Sequence, residues 1–253
     1  MQKVILILFV LISWGAVTFS GVTGTAKDTS VSLTLEKNKP GQTVNCSYND
    51  STLAFTLKIG NKSVSGVFVD AFDIDLQALQ IDKDDNYYLL VLKGLGPDDD
   101  NNCFFYEFVN GKIIPCGNIA YTNEIRTNGD KILEADSWMG FWTLRENYYF
   151  DSNSKSLVKK PKEFYNVNAE GKVTAKFRLL NERDDKSSSS GSLKPGEKIT
   201  VVKADITPKC KDEEGNNNDW QCWWYYIKSS DGTEGWCRMR DFQQNVDGLP
   251  WAG

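Results

Sequence analysis

Short runs of β-branched and aromatic residues, separated by turn dipeptides, make up most of the chain after its first 26 residues. Three of these dipeptides each lie between two such runs: Asn110-Gly111, Asn128-Gly129 and Asp231-Gly232. Asn-Gly and Asp-Gly supply the positive φ angles that tight hairpin loops need. No stretch beyond the N-terminal segment keeps a convincing helical period. The pattern therefore predicts an all-β protein of antiparallel strands.

The N-terminal segment has the pattern of an export signal. Met1-Gln2-Lys3 is a short basic start, an apolar run follows, and Gly24-Thr25-Ala26 fits the small-x-small cleavage pattern. Small residues follow the apolar run, where a membrane-spanning helix usually carries a charged stop. The sequence predicts a signal peptide over residues 1–26, a secreted or cell-envelope location, and no membrane span after cleavage. An uncleaved N-terminal anchor is the alternative.

Composition excludes several classes of function. The 253 residues are 40% hydrophobic and 25% charged, which is typical of a globular chain, and none of them is histidine. Without histidine there can be no Ser-His-Asp triad, no Cys-His nucleophile pair and no His-ligated zinc site. The formal charge of −5 argues against a nucleic-acid partner.

The mature chain is expected to hold two domains, residues 27–165 and residues 166–253. A basic segment broken by proline, Lys159-Lys160-Pro161-Lys162, precedes a new strand that opens at Glu170-Gly171. Residues 64–150 resemble β domains of exported proteins with propeller-like repeats, through Phe72-Asp73-Ile74-Asp75 and two acidic segments that follow it. We expect an antiparallel N-terminal β domain, either propeller-like or a sandwich.

Four landmarks follow one another in the C-terminal part: Leu180-Asn181-Glu182-Arg183, the turn and strand of 192–202, the aromatic strand of 223–228, and the segment 231–236. In this order they resemble the bacterial SH3 family found on exported envelope proteins of Gram-positive type. The resemblance implies a small SH3-like β-barrel over residues 172–242. It also implies a non-catalytic module that binds cell-wall peptide or glycan, or docks an envelope protein.

Aromatic residues crowd both faces of the strand at residues 223–228. Trp224 and Tyr226 share one face, and Trp223 and Tyr225 share the other, which is more ring area than a small barrel core can absorb. One set of rings is therefore expected to be exposed, where flat rings stack on sugars or clasp a peptide. Core packing is the alternative. On expected exposure alone, the predicted ligand-binding residues are Trp220, Trp223, Tyr225 and Trp236.

Six cysteines indicate an oxidising compartment. Cys103 and Cys116 flank Asn110-Gly111 almost symmetrically and are the first predicted pair. Cys210 and Cys222 bracket a polar loop, and a bridge between them would stabilise the fold by about 2–3 kcal/mol in the chain-entropy model. Spacing alone leaves Cys222–Cys237 as an alternative.

An acidic segment suggests a second hypothesis, a calcium-ordered extracellular interaction protein. Asp82, Asp84 and Asn86 occupy alternate positions, as in loops that present oxygen atoms to one calcium ion. An EF-hand is excluded, because Tyr87 and Lys93 stand where that loop needs Gly and Glu. Calcium is the only cofactor that the sequence suggests, and solvated acidic turns are the alternative.

A third hypothesis is a carboxylate-dependent cell-wall hydrolase. Glycosidases need two carboxyl groups, and in one of them apolar surroundings raise the pKa. Asp136 beside Trp138 and Glu146 beside Tyr148 are the candidates. Acids beside aromatic residues are ordinary on strands, so we expect a protein that is not an enzyme.

Overall fold

The computed structural model describes residues 26–35, 40–84, 87–97, 100–160, 162–212 and 214–251. The predicted signal peptide lies outside these ranges, except for its last residue. Within the described residues there are nineteen strands and two four-residue α-helices, and every strand pairing is antiparallel. The all-β prediction is confirmed. No helix in the described ranges has the length and apolar character needed to cross a membrane.

Three consecutive four-stranded meanders form the N-terminal part. The first contains β1 Ala26–Leu33, β2 Gln42–Asn49, β3 Ala54–Ile59 and β4 Lys62–Val67. The second contains β5 Asp73–Asp82, β6 Tyr87–Leu95, β7 Asn101–Val109 and β8 Lys112–Thr122. The third contains β9 Glu124–Thr127, β10 Ile132–Trp138, β11 Thr143–Asp151 and β12 Ser156–Lys159.

Hydrophobic residues fill the gaps between successive meanders. One core joins Tyr48 and Leu57 of the first sheet to Leu92 of the second, and another joins Phe105 of the second to Leu133 of the third. The first strand of each meander contacts the first strand of the next, β1 with β5 and β5 with β9. The last strands of successive meanders contact each other in the same way. Stacking of this kind, with a core in each gap, favours the propeller-like alternative over a two-layer sandwich.

The C-terminal part is one seven-stranded sheet in the order β15-β14-β18-β17-β16-β13-β19. Its strands are β13 Tyr165–Val173, β14 Phe177–Leu180, β15 Ser189–Leu193, β16 Lys198–Asp205, β17 Trp224–Ser229, β18 Glu234–Arg238 and β19 Val246–Asp247. Helix α1, Asp219–Cys222, precedes β17, and helix α2, Met239–Phe242, follows β18. The four sequence landmarks therefore lie on neighbouring strands and on the loops that join them.

The hairpin between β7 and β8 turns at the predicted dipeptide. Val109 pairs with Lys112, so Asn110 and Gly111 form a two-residue loop, with φ angles of 51° and 69°. Two positive φ angles are what a type I′ turn requires.

The tip of the β10–β11 hairpin inserts into the core of the C-terminal sheet. Phe141 and Trp142 are 1% and 3% exposed, and they pack with Tyr225, Phe242 and other buried residues of that sheet. Trp251, near the C terminus, covers Phe141 from outside, with ring centroids 4.8 Å apart. The third meander and the C-terminal sheet therefore share one hydrophobic core.

One predicted disulfide is confirmed and the other is wrong. Cys210 and Cys222 are bridged, which is compatible with an extracytoplasmic location, whereas Cys103 and Cys116 are free and buried. The hairpin register explains the error, because Cys103 pairs with Ile119 and Cys116 lies at an irregularity in the β7–β8 pairing. The two thiols therefore never face each other across the ladder.

Candidate functional site

A groove of about 550 Å³ lies on the C-terminal sheet beside the loop between β14 and β15. Its lining combines rings, a guanidinium group and carboxylates, from Phe164, Arg183, Asp184, Asp205, Trp224 and Trp236. A concave surface of aromatic rings with a few fixed polar groups is typical of binding sites.

Tryptophan rings form the floor of the groove. Trp224 of β17 and Trp236 of β18 are 2% and 7% exposed, and they belong to a small core separate from the main one. Phe164, just before β13, lies against Trp236 with ring centroids 5.5 Å apart, and Tyr226 meets Trp236 edge to face at 5.1 Å. These contacts hold the rings in fixed positions.

A lysine ammonium group lies among three of these rings. Lys203 Nζ is 4.3 Å from the ring centroid of Phe164, 5.1 Å from that of Tyr226 and 5.2 Å from that of Trp236. The sheet register places it there, because Lys203 of β16 pairs with Tyr226 of β17. A cation over an aromatic face contributes about 0.5–2 kcal/mol, so Lys203 stabilises the ring cluster from within the protein.

Arg183 is held by charge on one side and by rings on the other. Its Nη1 donates to Asp205 Oδ2 at 2.7 Å, its Nη2 donates to Glu163 Oε1 at 3.0 Å, and its guanidinium lies 4.6 Å from the Phe164 ring centroid. The Asp205 side chain is 6% exposed and also accepts hydrogen bonds from the backbone N–H and hydroxyl of Thr207. This pair fixes the start of the β14–β15 loop against the groove.

A second arginine ties the same loop to the sheet. Arg238 of β18 lies 4.1 Å from the Trp224 ring centroid, and its Nε donates to Asp185 Oδ1 at 2.8 Å. Hydrogen bonding from Arg238 lowers the pKa of the Asp185 carboxyl below its ordinary value, although partial burial opposes this. Asp185 therefore stays ionised, and the loop wall of the groove is anchored at two points.

The structure brings only one of the four predicted ligand residues into this groove. Trp236 lies in its floor, whereas Trp220 is 38% exposed on α1, outside the groove, and Trp223 is half-buried against the main core. The expected exposure is wrong for Tyr225, which is completely buried, and for Trp236, which is only 7% exposed.

The β10–β11 hairpin explains the burial of Tyr225. Phe141 and Phe242 lie 5.6 Å and 5.2 Å from its ring, and Trp142 Nε1 donates a hydrogen bond to its hydroxyl at 3.3 Å. Burial raises the pKa of Tyr225, so the phenol stays protonated. Both faces of β17 are thus covered, one by the third meander and the other by the groove cluster.

Sequence reasoning missed Phe164, Arg183, Lys203 and Tyr226 as members of the site. Arg183 was visible as the last residue of the Leu180-Asn181-Glu182-Arg183 motif, but its role depends on Asp205, more than twenty residues away. Phe164 lies in an irregular segment before β13, so no periodic signal marks it.

The predicted calcium residues are only partly within the described chain. Asp82 is buried and pairs with Lys131 at 3.0 Å, and one of its oxygens accepts the backbone N–H of Asp84. Asn86 lies outside the described residues. In the ranges that the structure describes, no group of three or more Asp, Glu, Cys or His side chains could hold a metal ion. The calcium site stays a prediction.

The two candidate hydrolase carboxylates have structural partners. Asp136 is 6% exposed and accepts hydrogen bonds from Arg126 at 2.8 Å and from Arg145 at 2.9 Å. Burial raises the pKa of Asp136, but the hydrogen bonds from Arg145 and Arg126 outweigh it and lower the pKa below its ordinary value. A general acid needs the opposite shift. Glu146 pairs with Lys159 and accepts the hydroxyl of Tyr148 at 2.8 Å.

Comparisons of the chain with protein-family profiles, with curated proteins and with solved structures found no significant match. Function therefore has to be inferred from the chemistry of the groove.

Proposed function

We propose that this is an exported, non-catalytic binding protein whose C-terminal SH3-like sheet holds a cell-wall ligand in the aromatic groove. The observation that carries the proposal is the fixed cluster of Phe164, Trp236, Arg183 and Lys203 around that groove. The predicted signal peptide and the Cys210–Cys222 bridge support an extracytoplasmic site of action.

The charges of the groove favour a ligand with hydrogen-bond donors. Arg183 is already paired with two carboxylates, and Lys203 lies against rings, whereas Glu182 and Asp184 are exposed on the rim. Amino groups, peptide N–H groups and sugar hydroxyls all donate to carboxylates, and both peptides and sugar rings pack on flat aromatic surfaces. Peptide or glycan segments of the cell wall have this chemistry.

Cosedimentation with purified insoluble peptidoglycan tests the proposal. The whole mature chain is required, because removing residues 27–165 would take Phe141 and Trp142 out of the C-terminal core. Phe164→Ala removes a half-buried groove ring, and Trp220→Ala is the matched control, since it removes an exposed ring outside the groove.

The expected result is binding by the wild type and by Trp220→Ala, with at least about tenfold weaker binding by Phe164→Ala, as for the loss of a central aromatic anchor. If the wild type does not bind, the wall ligand is wrong, and a protein partner for the groove becomes the better hypothesis. If Trp220→Ala binds weakly and Phe164→Ala binds normally, the groove is not the site.

A further inference from the structure

The Cys210–Cys222 bridge closes the loop that joins β16 to β17, and both ends of this loop lead into the aromatic groove. Pro208, just before Cys210 in the sequence, lines the groove, and so does Trp224, just after Cys222. The pairing of β16 with β17 ends at Asp205 and Trp224. Beyond that point the bridge holds the two segments together, with its Cα atoms 6.1 Å apart.

Two hydrogen bonds of Arg238 connect the bridge to the loop wall of the groove. Arg238 Nη1 donates to the backbone carbonyl of Cys222 at 2.5 Å, and Arg238 Nε donates to Asp185 Oδ1 at 2.8 Å. The Arg238 side chain is only 15% exposed, and its guanidinium lies over the Trp224 ring. The position of Cys222 therefore helps to place the guanidinium group that anchors the β14–β15 loop.

Helix α1, which ends at Cys222, is too short to hold its own position. It has four residues, and its N-cap residue Asn218 makes no side-chain capping hydrogen bond in the described part of the chain. A single helical turn is unstable in water, because nucleation orders several residues for one hydrogen bond. An ion pair between Lys209 and Asp219 also lies in this loop, but the Lys209 side chain is 75% exposed, and exposed pairs stabilise little.

The bridge lies outside the hydrophobic cores of the C-terminal sheet. Neither Cys210 nor Cys222 belongs to the main core or to the cluster of Trp224 and Trp236. Opening the bridge should therefore release the β16–β17 loop and weaken the anchoring of the β14–β15 loop while the sheet stays folded.

We propose that formation of the Cys210–Cys222 bridge completes the groove, so that the protein binds its ligand strongly only in the oxidised form. In this step each thiol loses a proton, and the pair gives two electrons to a small-molecule or protein disulfide, which is reduced to two thiols. The predicted export signal takes the chain from a reducing to an oxidising compartment, so binding is switched on after export. This regulation rests on the function proposed for the groove.

Hydrogen–deuterium exchange and cosedimentation with purified insoluble peptidoglycan test the inference on the full mature chain. Both are measured on the oxidised protein, on the protein in dithiothreitol, and on a double variant with Cys210→Ser and Cys222→Ser. The other four cysteines are free and buried, so dithiothreitol acts on this bridge alone. Lys209→Ala is the matched control, because it removes the ion pair of the same loop and keeps the bridge.

Amide exchange reports on the groove without any ligand. In the reduced protein and in the double variant, we expect exchange to be at least about tenfold faster in residues 206–222 and in the β14–β15 loop, residues 181–188. Exchange in β13 and β16 should not change, and Lys209→Ala should behave as the oxidised wild type. Equal exchange in the oxidised and reduced proteins would overturn the inference, whether or not the oxidised protein binds peptidoglycan.

Cosedimentation separates this inference from the proposed function. We expect the reduced protein and the double variant to bind at least about fivefold more weakly than the oxidised wild type, as for a site that its ligand must first order. Equal binding by the oxidised and reduced forms would overturn the inference and leave the proposed function intact. If the oxidised wild type does not bind, the wall ligand is wrong, and the exchange measurement decides whether the bridge orders the groove.

Discussion

Trp142 Nε1 donates a hydrogen bond to Tyr225 Oη at 3.3 Å, although the two residues are 83 positions apart. Trp142 belongs to the tip of the β10–β11 hairpin, and Tyr225 lies at the centre of the C-terminal sheet. The contact seals one face of β17, so the other face, with Trp224 and Tyr226, is the one that carries the groove. The third meander thereby determines which aromatic residues lie on the groove side of β17.

Truncation of Trp142 should destabilise the C-terminal sheet. Trp142→Ala leaves a cavity in a shared core and should lower the free energy of unfolding by about 3–5 kcal/mol. Tyr225→Phe removes only the hydroxyl and should cost about 1 kcal/mol. Urea unfolding followed by circular dichroism measures both. Equal losses for the two variants would mean that the hydrogen bond, and not the packing, joins the two parts.

Removing only one member of the Arg183–Asp205 pair should lower the free energy of unfolding. Arg183→Ala leaves Asp205 buried without its cationic partner, so the free energy of unfolding should fall by about 3 kcal/mol, the low end for buried pairs, since Arg183 is partly exposed. Lys228→Ala breaks the surface pair with Glu234 and should change stability little. Thermal melts of the two variants give the comparison, and similar melting temperatures would contradict a structural role for Arg183.

Protonation of Asp136 should lower the free energy of unfolding of the protein in acid. Its pKa is lowered in the folded state, so its stabilising contribution is present above the ordinary carboxyl pKa and is lost as pH falls through the lower folded pKa. Asp136→Asn should therefore be less stable than the wild type at pH 7, and the difference should shrink below about pH 4. Urea unfolding from pH 7 to pH 2 measures it. A constant difference across that range would exclude ionised Asp136 as the cause.

The four free cysteines should be inert in the folded protein. Burial raises the pKa of Cys116 to about 11 and the pKa values of Cys46 and Cys103 to about 12, and it also raises that of Cys237. Reactivity follows the thiolate, so these thiols should not react at neutral pH.

An Ellman titration counts the thiols directly. The native chain should show none, and the chain unfolded in urea without reductant should show four, since only Cys210 and Cys222 are bridged. Two thiols in urea would instead indicate a second bridge, such as the Cys103–Cys116 pair that the sequence predicts.

Local signals in the sequence were sufficient for the strand class and for the β7–β8 turn, because Asn110-Gly111 and the alternation of apolar residues act over a few neighbouring positions. The Cys103–Cys116 prediction failed because mirror symmetry about a turn does not reveal a register irregularity further along the ladder. The exposure predicted for Tyr225 failed for another reason. Its face is covered by Phe141 and Trp142, and no period within residues 166–253 can reveal a cover that comes from elsewhere in the chain.

The residues of the groove also differ in how far the sequence could identify them. Trp236 was predicted on expected exposure alone, and it lines the groove although its side chain is only 7% exposed. Lys203 and Phe164 could not be predicted, because their place beside Trp236 follows from strand order and from an irregular segment. Residue types in the sequence indicated an aromatic site. Only the order of the strands showed which residues contact one another there.

The most direct test of the groove as a ligand site is the tryptophan indole region of the ¹H–¹⁵N NMR spectrum of the mature chain, titrated with solubilised peptidoglycan fragments. Trp224 and Trp236 line the groove, whereas Trp220 is exposed outside it. We predict that the indole signals of Trp224 and Trp236 shift with saturation while that of Trp220 stays in place. Shifts confined to the indole signals of Trp220 and Trp223 would contradict the account. So would the absence of any shift when the fragments come from peptidoglycan to which the protein binds.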